Sequence, residues 1–83
     1  MKVLYFAWLK EKIGIGEEDI SLPQGTTNVE GFIKFLKNRG GGFEKAFSDI
    51  SMVRVAVNME HVKISSPLQD SDEVAFFPPV TGG

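Results

Sequence analysis

The sequence predicts an α+β fold in which one main helix and a short helix lie across a mixed sheet of about five strands. Three observations carry that expectation. Several short runs alternate apolar and polar residues with period two. One stretch repeats its apolar residues at helical spacing. Strand-forming runs fall on both sides of that stretch, in the order strand, strand, helix, strand, short strand, strand, with no internal repeat.

The first run, Val3 to Trp8, is apolar throughout, as in a central strand covered on both faces or nearly so. Leu9 to Ile13 suits a short helical turn punctuated by Gly14 and Gly16. An alternating run from Glu17 to Leu22 follows, with Ile20 and Leu22 facing inward and the acids Glu17, Glu18 and Asp19 in water. So short a connection favours an antiparallel hairpin, closed by Pro23-Gln24-Gly25. Thr27-Asn28-Val29-Glu30 matches a capping box, in which the threonine hydroxyl and the glutamate carboxylate each satisfy an unpaired backbone N–H. The main helix is expected from there, with Val29, Phe32, Ile33 and Leu36 as its apolar stripe, Lys34, Lys37 and Asn38 outward, Arg39 favouring the negative end of the helix dipole, and Gly40 as C-cap.

Gly40-Gly41-Gly42 suggests a flexible joint, and Phe43, Ala46, Phe47 and Ile50 a second, shorter helix. Met52 to Val57 alternates as a half-buried strand. Asn58 to His61 forms a turn into a short strand at Val62 to Ile64, and the loop Ser65 to Asp72 is pinned by Leu68. The last strand runs from Glu73 to Phe77. In an arrangement of the β-grasp kind it lies beside the first strand in the middle of the sheet.

Eighty-three residues with 42% hydrophobic content make one small packed domain. The division expected is a β-grasp domain over 1–77 and an extended tail over 78–83. A net charge of −2, with the nine Lys and Arg spread along the chain, leaves no basic stripe for a phosphate backbone, so nucleic acid is not expected as a partner. No cysteine is present, which excludes disulfides, thiolate metal sites and a cysteine nucleophile. The opening apolar run ends in Lys10-Glu11-Lys12 rather than a cleavage site, and nothing approaches the ~20 apolar residues of a membrane span. A cytoplasmic protein without a membrane partner is expected.

The other motifs favour ordinary explanations. His61 has no second imidazole or cysteine with which to share a metal and is expected at the surface. The acidic groups lack metal-binding spacing. Gly14-Ile15-Gly16 lacks the third glycine of a dinucleotide fingerprint, and Gly40 to Lys45 lacks the residues of a P-loop. No serine has a base at a recognisable spacing.

The tail is different. Val74 and Phe76 fall on one face of the last strand, Ala75 and Phe77 on the other. Pro78-Pro79 stops the strand, having no N–H to give to a ladder. Val80-Thr81 leads into Gly82-Gly83, a thread without Cβ atoms that suits a narrow site on another molecule.

Val3-Leu4-Tyr5-Phe6-Ala7, Lys10-Glu11 followed by Gly14, Val55-Ala56-Val57-Asn58 and above all Pro67 to Gly83 together resemble the small subunit of molybdopterin synthase, a ubiquitin-like β-grasp sulfur carrier. Departures from that pattern are Lys10 where arginine is common, Ser71 where glycine often precedes Asp72, and the triple glycine.

The resemblance implies a non-catalytic carrier subunit that binds no cofactor itself. A separate ATP-using enzyme adenylates the Gly83 carboxylate, a sulfur donor protein converts it to a thiocarboxylate, and the large synthase subunit uses that sulfur to build the molybdopterin dithiolene. Phe77, Pro78, Pro79, Val80, Thr81 and Gly82 would then form the tail and partner contacts, and Gly83 the reactive terminus. A thiamine-type sulfur carrier and a ubiquitin-like protein modifier are the alternatives.

Overall fold

The computed structural model describes residues 1–79; the expectations for 80–83 lie outside the described residues. Along the chain run β1 (Lys2–Tyr5), α1 (Ala7–Ile13), β2 (Glu17–Asp19), α2 (Val29–Lys37), α3 (Gly41–Ala46), a 3-10 turn (Ile50–Met52), β3 (Arg54–Val57), β4 (Glu60–Val62) and β5 (Glu73–Phe77). The strands form one mixed sheet in the order β2-β1-β5-β3-β4. β1 and β5 are parallel and every other neighbouring pair is antiparallel. The expected hairpin and the central placing of β5 beside β1 are both present.

One face of the sheet carries the core. Val3 and Tyr5 of β1, Val55 of β3 and Val74 and Phe76 of β5 are buried against Val29, Phe32, Ile33 and Leu36 of α2. Phe76 is fully buried among aromatic rings from three directions: Tyr5 stacked at 6.2 Å, Phe32 stacked at 6.4 Å and Phe47 edge-on at 5.1 Å. Such pairs add to the burial itself. The strand that leads into the tail is therefore held by the densest aromatic contacts of the molecule.

Several boundaries differ from the sequence expectations, each for a physical reason. β1 stops at Tyr5 instead of continuing to Trp8. Ala7 takes a left-handed φ of 54° and opens α1, whose Leu9 is buried in the core. The cap of α2 is Asn28 rather than Thr27: its side-chain oxygen accepts from Gly31 N at 2.9 Å. Glu30 does not close a capping box, because the first-turn N–H groups of Val29 and Glu30 donate to the carbonyls of Ser66 and Ile64. β3 begins at Arg54 after the 3-10 turn. β4 spans Glu60–Val62, two residues earlier than expected, since the hairpin loop is only Asn58-Met59, both left-handed at φ 51° and 69°.

The triple glycine is not a flexible joint. α2 ends at Lys37 with Asn38 as C-cap, whereas Gly40, at φ 78°, is the N-cap of α3, and Gly41 and Gly42 lie inside that helix. A Cβ on Gly42 would sit 1.9 Å from the carbonyl oxygen of Lys12, so α1 and α3 touch backbone to backbone there.

Glu18 also departs from expectation. Its side chain is only 16% exposed and accepts from the Tyr5 hydroxyl at 2.7 Å and from Arg39 at 2.8 Å. Arg39 in turn lies 4.1 Å above the Phe43 ring. The two residues thus tie β2, the end of α2 and α3 together. Burial, reinforced by the Glu18 hydrogen bond, raises the Tyr5 hydroxyl well above the usual tyrosine range, so it serves as a neutral donor.

Candidate functional site: the end of the last strand and its outer face

Period-two alternation turns one residue in two of each strand away from the helices. Register then aligns them. Leu4 of β1 pairs with Ala75 of β5, Ala75 with Ala56 of β3, and Ala56 with His61 of β4, forming a row across the outer face. Phe77 pairs with Arg54 in the next row. Phe6 extends that row beyond β1, because it follows Tyr5, whose partner is Phe76, and its N–H donates to the Phe76 carbonyl at 3.1 Å.

The two alanines make the middle of this face shallow. Phe77, half-buried, and Phe6, 49% exposed, stand along its tail-side margin. His61 is exposed, with its ring centroid 5.1 Å from that of Phe77 and tilted by 54°. The Arg54 guanidinium donates to the carbonyls of Ser51 at 3.0 Å and Val53 at 3.2 Å, and so turns back along its own turn. The result is an apolar surface that ends where Pro78 and Pro79, both half-exposed, carry the chain off the sheet.

Of the residues singled out in the sequence, Phe77, Pro78 and Pro79 are brought together at this end of β5. Val80, Thr81, Gly82 and Gly83 lie outside the described residues. His61 is at the surface as expected, but in a strand and against Phe77 rather than in a free turn. Leu4, Phe6 and Ala56 were not singled out. The signal for the first two was present, since alternation with buried Val3 and Tyr5 leaves Leu4 and Phe6 on the outer face.

No bond-making side-chain constellation accompanies the face. Among the described residues there is no group of three or more His, Cys, Asp or Glu that could hold a metal, and no helix long and apolar enough to cross a membrane. A concavity of about 470 Å³ is lined by Lys12, Gly41, Glu44, Lys45 and Ser48 on the α1–α3 side.

The ThiS family model matches residues 3–83. The chain belongs to the ThiS family. Curated relatives of this ThiS-family chain include the molybdopterin synthase sulfur carrier subunit of Escherichia coli strain K12, 37% identical over 83 residues, 100% of this chain and 99% of that protein. Among solved structures, a Pyrococcus furiosus protein described as molybdopterin converting factor subunit 1 has 38% identity and a TM-score of 0.76, covering 95% of each chain. SAMP1 of Haloferax volcanii, a small archaeal modifier protein, has 25% identity and a TM-score of 0.72, covering 100% of this chain and 98% of that one. The ThiS-family chain thus has the ubiquitin-like β-grasp fold, and its named relatives include sulfur carrier subunits of molybdopterin synthase.

Proposed function

We propose that this chain is the sulfur-carrier subunit of a molybdopterin synthase and that Gly83 is the group that carries the sulfur. The observation that supports it most is the full-length likeness to molybdopterin synthase sulfur carrier subunits. It fits a chain whose last strand, anchored at Phe76, delivers Pro78-Pro79 off an apolar face.

The chemistry follows from what a carboxylate lacks. A carboxylate at neutral pH is a poor electrophile. Attack of the Gly83 carboxylate on ATP, catalysed by a separate activating enzyme, gives an acyl-adenylate and releases pyrophosphate. A donor protein supplying sulfur at the oxidation level of sulfide then displaces AMP and leaves a thiocarboxylate. In the large synthase subunit the thiocarboxylate sulfur bonds to a carbon of the pterin precursor and displaces an oxygen substituent, which leaves with the bonding pair and takes up a proton; water then cleaves the remaining acyl–sulfur bond, restoring the Gly83 carboxylate. Two such deliveries make one dithiolene.

In this cycle the present chain contributes position. Gly82 and Gly83 give access to a narrow site, Pro78 and Pro79 reduce the conformational freedom lost on insertion, and Phe77 with Val80 and the outer face supply contact area. No cofactor is bound by this chain; ATP belongs to the activating partner. The cycle is placed in the cytoplasm.

Incubation with an activating enzyme, ATP and a sulfur donor, followed by intact-mass measurement, should show the small gain of an oxygen-to-sulfur exchange, confined to a C-terminal fragment. No gain with an activating enzyme proven competent on another carrier sinks the proposal. The likeness to SAMP1 supports a second use, attachment of Gly83 to lysines of target proteins. That reading requires adducts of chain plus target in cells. A thiamine-type carrier is distinguished by pull-down with each pathway's acceptor enzyme.

A further inference from the structure

His61 ends the row Glu17, Leu4, Ala75, Ala56, His61 across the outer face, with three strands between it and Glu17, the row's other titratable residue, and its ring lies 5.1 Å from that of Phe77, the last residue before the tail. A partner that receives the tail and covers Phe77 must also cover His61, because their rings are in contact. We propose that His61 makes docking of the large subunit proton-sensitive, with the neutral imidazole completing the apolar surface and the imidazolium opposing its burial. This inference rests on the sulfur-carrier reading above.

Imidazole is the ordinary side chain whose charge changes between about pH 5 and pH 8. A neutral imidazole beside Phe77 adds a flat, weakly polar surface that an apolar partner can cover at little cost. A protonated one must lose its water on docking, and a desolvated charge without a partner is expensive.

The charged groups sharing the outer face do not offer that partner. Arg54 of β3, paired with Phe77, and Lys63, two residues after His61 and therefore on the same side by alternation, are the nearest and are both cations. Glu73 stands at the far end of β5, in register with Lys2 of β1, which is 3.5 Å from Glu17 of β2; Asp19 of β2 lies 3.8 Å from the N-terminal ammonium. On β4 itself Glu60 alternates to the opposite face. Acidification therefore adds a further cation beside Arg54 and Lys63 on a surface that docking must dry.

The test measures the affinity of purified chain for the purified large subunit of molybdopterin synthase at several pH values. Wild type should bind several-fold, and at most about tenfold, more weakly at about pH 5.5 than at about pH 7.5. His61→Leu should bind at least as well as wild type at the higher pH and lose most of the difference. His61→Lys should bind weakly at both. Thermal unfolding at each pH confirms that every variant is folded under the conditions compared.

An equal pH dependence in His61→Leu overturns the proposal, since the titrating group then lies elsewhere. Tighter binding of wild type on acidification also overturns it, because a carboxylate of the partner would then face His61. Absence of any complex at either pH removes the sulfur-carrier reading together with this inference, whereas a complex with no pH dependence removes only this inference.

Discussion

Phe76 and Phe77 are neighbours in one strand with opposite surroundings. The first is fully buried among Tyr5, Phe32 and Phe47; the second is half-buried on the outer face, with His61 beside it and Pro78 next in the chain. Their chemistry is identical, so the difference lies entirely in which side of the sheet each occupies. One phenylalanine fixes the strand to the domain, and the other is offered to whatever approaches the tail.

Truncating the two residues gives the largest expected effect. Phe76→Ala removes a ring packed on three others and should cost about 3–5 kcal/mol in urea unfolding. That is a large share of the stability of a small domain. Phe77→Ala should cost less than about 1 kcal/mol, as a surface change, yet weaken large-subunit binding by roughly tenfold or more. Equal losses of stability in the two variants would break the division between the faces.

That division was legible in the sequence because period two needs only the order of Val74, Ala75, Phe76 and Phe77. Other features depend on residues far apart in the chain. Glu18 reads as a wet acid until Tyr5, 13 residues away, and Arg39, 21 residues away, are placed around it. Thr27 reads as the helix cap until the carbonyls of Ile64 and Ser66 take the N–H groups that a capping box would otherwise serve. Of the candidate site, the tail's composition was plain and alternation put Leu4 and Phe6 on the outer face, whereas their nearness to the tail, and that of His61, comes from the pairing of β1, β3 and β4 with β5.

Gly42 extends the comparison to the helical side of the molecule. Its apparent role in a flexible joint is replaced by backbone contact with Lys12, where a Cβ would meet the carbonyl oxygen at 1.9 Å. Gly42→Ala must push α1 and α3 apart and should destabilise by about 1–3 kcal/mol. Once folded, it should bind the large subunit with wild-type affinity, because it lies on neither face of β5. A binding defect that persists in the folded variant would show that the α1–α3 pair shapes the docking surface after all, through Phe6, the N-cap of α1.

The smallest effect is expected at Met59, and it bounds the outer face at the end away from the tail. Met59 is 88% exposed and left-handed at φ 69°, a conformation that costs a side-chain-bearing residue about 1–2 kcal/mol relative to glycine. Its neighbour Asn58 holds the turn by accepting from Glu73 N at 3.0 Å and donating to Asp72 at 3.0 Å, so the loop cannot relax into a right-handed form without losing those bonds. Met59→Gly should therefore stabilise the fold by up to about 1 kcal/mol, the relief of strain being partly offset by the greater freedom of glycine in the unfolded chain. Since Val57 pairs with Val74 at the start of β5 while Phe77 ends it, the turn and the tail lie at opposite ends of the strand. Unchanged large-subunit affinity in Met59→Gly would confine docking to the tail end of the face. Weaker affinity in this more stable variant would mean that the partner reaches the whole length of β5 and that the strained methionine is held there for contact.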